Sequence, residues 1–76
     1  MMMPLHPMHS LFDQLGLDSS TEAIDRFILE HQIKDDTRLH EADFWTSSQA
    51  RFLQENLSRD ADWAEVIDQL NERLHS

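Results

Sequence analysis

Apolar side chains recur along this chain at intervals of three and four residues, the spacing that lines one face of an α-helix. Met8, Leu11, Phe12 and Leu15 share one face and predict a first helix over residues 8–15. Ala23, Ile24, Phe27 and Ile28 form the stripe of a second, running to about Gln32. Trp45, Phe52, Leu53 and Leu57 share a broad face and predict a third over residues 42–57. Trp63, Ile67, Leu70 and Leu74, with Val66 beside them, give the cleanest stripe and predict a fourth over residues 60–74. Asp62, Glu65, Asp68, Gln69 and Glu72 cover its opposite face. No stretch alternates apolar and polar positions for long, so strands have no comparable signal. The expected fold is all-α, with about four short helices in orthogonal or bundle-like packing.

The punctuation agrees with that reading. Gly16 follows the first stripe and suits a left-handed C-cap. Ser19-Ser20-Thr21-Glu22 reads as a capping box, with Ser19 as the N-cap and Glu22 reaching back to it. Glu22 and Arg26 stand four apart as a supporting pair, as do Arg51, Glu55 and Arg59 farther on. The segment from Lys34 to Arg38 reads as a charged link, and Asp60 as the cap of the fourth helix. Residues 1–7, with Pro4 and Pro7, read as a flexible lead-in, and residues 8–76 as one helical domain.

Composition narrows the chemistry. Leu, Ile, Val and Phe make up nineteen of the 76 residues, above the level at which a charged chain stays unfolded. There is no cysteine, hence no disulfide, thiolate metal site or cysteine nucleophile. A single glycine rules out a glycine-rich phosphate loop. No apolar run is long enough to span a bilayer, and the first residues lack the features of a secretory signal. A cytoplasmic location is the default expectation. The net charge is −9, spread along the chain, with one Lys and five Arg among fifteen carboxylates. Phosphate contacts need clustered cations, so direct nucleic-acid binding is not expected.

Several blocks are familiar in their order. His9-Ser10-Leu11-Phe12-Asp13-Gln14-Leu15-Gly16-Leu17 is followed by Phe27-Ile28-Leu29-Glu30-His31, then Ala42-Asp43-Phe44-Trp45, then Asp60-Ala61-Asp62-Trp63-Ala64. Together they resemble a family of short bacterial proteins catalogued as domain of unknown function 2789, over nearly the whole chain. The resemblance implies a small, stand-alone helical protein. It supplies no activity, ligand or catalytic residue.

Candidate sites come from side chains that sit awkwardly on their stripes. His31 falls mid-stripe in the last turn of the second helix, where the helix dipole favours its cation and burial opposes it. Gln49 and Asn56 lie inside the third stripe, and a buried amide needs a partner. His31, Gln49 and Asn56 therefore form a candidate polar or ligand cluster, against the plainer reading that each bonds to nearby backbone. Phe44, Leu29 and Ile33 project off their stripes and form a candidate interface patch, unless they close over the link between the second and third helices. His6, Met8 and His9 offer soft-metal donors, but Met8 is already claimed by the first apolar face, and no metal or cofactor is expected. No catalytic residue is identified. The expectation is a non-enzymatic protein–protein interaction module, with homodimerisation as one form of it. A small-molecule or metal sensor around His31 and an acidic nucleic-acid mimic are the alternatives.

Overall fold

The computed structural model describes residues 7–57 and 61–76. Residues 1–6 of the expected lead-in at 1–7, His6 among them, therefore lie outside the described residues, as do Arg59 and the expected cap Asp60. Among the described residues there are four α-helices, one short 3-10 turn and no strand. The fold is all-α.

Helix α1 spans Met8–Gln14. Leu11 and Phe12 are fully buried, as their spacing requires. The helix stops because Gly16 takes a left-handed φ of 75°. Gly16 N–H donates to the Asp13 carbonyl at 3.1 Å and Leu17 N–H to that of Phe12 at 2.9 Å, the paired bonds of a Schellman ending.

Helix α2 spans Thr21–Glu30. Its cap is Ser20, one residue later than expected: the Ser20 hydroxyl accepts from Ala23 N–H at 3.2 Å. The reason is Asp18, whose carboxylate accepts the Ser20 N–H at 3.0 Å and fills the role assigned to Glu22. The helix also ends earlier, with His31 as C-cap instead of Gln32.

The third segment departs most. Helix α3 is only Ser47–Glu55, preceded by the 3-10 turn Leu39–Glu41. A capping box starts it. The Thr46 hydroxyl accepts from Gln49 N–H at 3.1 Å, and Thr46 N–H donates to Gln49 Oε1 at 2.9 Å. Residues 42–45 therefore lie in a loop, and the third stripe combined loop and helix positions. Trp45 is buried all the same, with its indole N–H on the Leu39 carbonyl at 2.8 Å. Leu57 falls beyond the helix and is 45% exposed.

Helix α4 spans Ala64–Leu74. It begins after a turn in which Ala64 N–H donates to the Ala61 carbonyl at 3.1 Å. Val66, Ile67, Leu70 and Leu74 are completely buried. Helices α1, α2 and α4 pack pairwise, and α3 packs on the 3-10 turn. The radius of gyration of 11.7 Å matches the roughly 11.4 Å of a close-packed chain this long.

The end of α4 is tied to the segment that leaves α2. Ile33 N–H donates to the Leu74 carbonyl at 2.7 Å. Gln32 Nε2 donates to the Ile28 carbonyl at 2.7 Å and to that of Arg73 at 3.1 Å. The last carbonyls of a helix have no partner within it; here residues 32 and 33 supply partners from another part of the chain. Arg73 and Asp25 add an exposed ion pair at 3.3 Å, of a kind that contributes at most about 1 kcal/mol.

Candidate functional site

The sequence-derived polar candidates are all engaged with backbone. Gln49 Nε2 donates to the Leu15 carbonyl at 2.8 Å, so one amide both caps α3 and ties it to the end of α1. Asn56 is the C-cap of α3, and its Nδ2 donates to the Phe52 carbonyl at 2.8 Å. His31 Nδ1 donates to the Phe27 carbonyl at 2.8 Å. Among the described residues no hydrogen bond joins these three side chains to one another.

His31 instead belongs to an aromatic group. Its ring stacks on Phe27 with centroids 4.0 Å apart and meets Phe44 at 4.9 Å in an edge arrangement. Phe44 continues to Trp45 at 4.7 Å, and Phe27 meets Phe12 edge-on at 5.4 Å. A carbonyl can only accept, so the Nδ1 bond fixes the proton on that nitrogen. Nε2 is the atom of His31 left to take a ligand.

The interface candidates separate. Ile33 is buried and Phe44 is half-buried against the core. Neither lies on a helix, because α2 has ended before Ile33 and α3 starts after Phe44. Helical spacing therefore did not govern where they point. Leu29 does lie on α2, and it is 78% exposed.

A broad concavity lies elsewhere. It is an open cleft of about 870 Å³ between residues 35–40 and the last turns of α4. Leu57 borders it, and Leu39 contributes buried apolar surface at its base. Asp35, Asp36 and Glu72 supply carboxylates; Arg38 and His75 are its basic members. His40 also lines it, with Nδ1 buried and without a hydrogen-bond partner among the described residues.

His75 is held at both ring nitrogens. Nδ1 lies 2.7 Å from the Asn71 carbonyl and Nε2 lies 2.9 Å from that of Thr37. These two carbonyl contacts, Asn71 first, hold its basicity above the ordinary 6.5 of an imidazole. Partial burial opposes them, and the nearby Asp35 carboxylate adds to them. Spacing had no means of finding this site. The one available signal was a histidine just past the end of a helix, where a cation complements the dipole; the Thr37 contact depends on the fold.

The arrangement is that of a small helical domain with a broad, mixed-charge cleft. The chain belongs to the family described as protein of unknown function DUF2789, whose model matches residues 1–74. Among solved structures, it is similar to a Chromobacterium violaceum protein determined by solution NMR. The two are 42% identical with a TM-score of 0.81, over 93% of this chain and 87% of that one. No curated protein matches the chain.

Proposed function

We propose that this protein is a non-enzymatic interaction module, and that the cleft between residues 35–40 and the end of α4 receives a cationic, partly aliphatic segment of a protein partner. The observation that carries this reading is the pairing of exposed Leu57 with the carboxylates of Asp35, Asp36 and Glu72 around one open concavity. The net charge of −9 works in the same direction. A field of that sign speeds the approach of a basic partner and disfavours acidic ones. An aliphatic side chain of the partner would cover Leu57, and burying apolar area contributes about 25 cal/mol per Å².

One detail supports binding over catalysis. Both His75 ring nitrogens already face main-chain carbonyls, and a general base needs a nitrogen free to take the substrate's proton. A cytoplasmic setting, with its many protein partners, belongs to this proposal.

Selection of binders from a random peptide library on the immobilised protein tests it. Enriched sequences should combine Lys or Arg with Leu, Ile or Met, and binding should weaken with salt. Leu57→Glu and Asp35→Lys should each abolish capture, while Asp68→Lys on the exposed side of α4 should not. Acidic or uncharged winners, or indifference to Leu57→Glu, would contradict the reading. Loss of capture on changing Leu29 alone would place the contact on α2 and favour self-association there.

A further inference from the structure

We propose that His75 is a proton-operated latch: as an imidazolium it fastens the turn at residues 34–37 to the end of α4, and on losing its proton it lets that wall of the cleft go. The geometry of two carbonyls carries the argument. The Asn71 oxygen, 2.7 Å from Nδ1, and the Thr37 oxygen, 2.9 Å from Nε2, both only accept hydrogen bonds. A neutral ring has one N–H, so one nitrogen would then turn a lone pair toward a carbonyl oxygen at under 3 Å. Only the doubly protonated ring satisfies both contacts.

The two contacts differ in what they hold. Asn71 lies four residues back on the same helix end, so that bond is local. Thr37 is 38 residues away in sequence. The neutral ring keeps the local bond and gives up the distant one. The segment is built to respond. Ile33 and Leu39 anchor it at either side, through the Leu74 carbonyl and the Trp45 indole. Between them, the hydrogen bond from residues 34–38 to α4, among the described residues, is the one to His75. The turn's own closure, Thr37 N–H to the Lys34 carbonyl at 3.0 Å, travels with it.

The charges around the latch come from three elements. Asp35 on the turn favours the imidazolium, while Asp36 on the turn, Glu72 on α4 and Arg38 line the same cleft. His40 from the 3-10 turn is the second titratable ring at the cleft, and its buried Nδ1 has no partner among the described residues. Release of the wall would let water reach that atom, which lowers the cost of opening. The upward displacement of His75 basicity by the Asn71 and Thr37 carbonyls agrees with this geometry. The consequence for docking rests on the cleft reading above; the latch itself does not.

Nitrogen-resolved NMR of the histidine rings, read together with amide-exchange protection of residues 35–38, tests the latch without any ligand. Both His75 nitrogens should carry protons in mildly acidic solution, and protection should fall about 10-fold as the ring titrates. His75→Gln should make protection independent of pH, and His40→Gln should leave the fall intact. A singly protonated His75 ring in acid, a pH-independent turn in the wild-type protein, or an unchanged fall in His75→Gln would overturn the proposal. A basic Lys–Leu peptide titrated in on either side of the transition then reads docking separately. A working latch with no peptide bound would overturn the cleft reading alone.

Discussion

Gln49 makes three hydrogen bonds from one side-chain amide and its own backbone N–H, joining Thr46, itself and the Leu15 carbonyl. Gln49→Ala removes one arm of a capping box and leaves the Leu15 carbonyl without its donor. The expected loss is about 1–3 kcal/mol, measured by urea unfolding. Its role was half legible. The need for a partner followed from a polar side chain on an apolar stripe; that the partner would be the last carbonyl of α1 did not. His75 gives a second prediction at this scale. Its folded basicity is raised by the Asn71 and Thr37 carbonyls. The resulting stabilisation is therefore fully present below the unfolded value of 6.5 and is lost as pH rises through the higher folded value. The stability gap between wild type and His75→Gln should be wide at about pH 5 and narrow at about pH 9. A gap that widened toward alkaline pH would reverse the sign argued here.

At the scale of elements, the stripes located all four helices and misplaced several ends. The largest displacement, at the third helix, has a plain physical cause. Apolar periodicity reports which residues face the core, and loop residues can face it as well as helical ones. Trp45 packs with the core from a loop, so the third helix read five residues too long at its start. The capping signal Thr46-Ser47-Ser48-Gln49 was present in the sequence and set the true beginning. Ile33 is the mirror case: the segment after α2 buries it although it lies on no helix. Gly16, by contrast, was readable, since a glycine closing an apolar stripe is a frequent helix ending. Its left-handed φ of 75° has nothing within 4 Å of where a Cβ would sit. Gly16→Ala should therefore cost only backbone strain, about 1–2 kcal/mol, with Gly16→Asn costing less. Thermal melts of the two variants would check both the size and the order.

At the scale of the molecule, thirteen buried hydrophobic residues among the described ones form one cluster drawn from all four helices and the segments between them. Leu70 on α4 is fully buried. Leu70→Ala should destabilise by about 2–5 kcal/mol, a large part of what a small domain has. Equilibrium unfolding should show a lower midpoint. All-α character was legible because these positions obey helical spacing. The cleft was not, since it is made by residues 35–40 meeting the end of α4, two segments far apart in sequence with no shared pattern.

A heteronuclear NMR titration of the labelled protein with a short Lys–Leu peptide tests the docking cleft most directly. The account predicts shift changes concentrated at residues 35–40, Leu57 and residues 71–75, reduced by salt and absent in Leu57→Glu. Shifts centred on Leu29, or no shifts at all in wild-type protein at millimolar peptide, would contradict it.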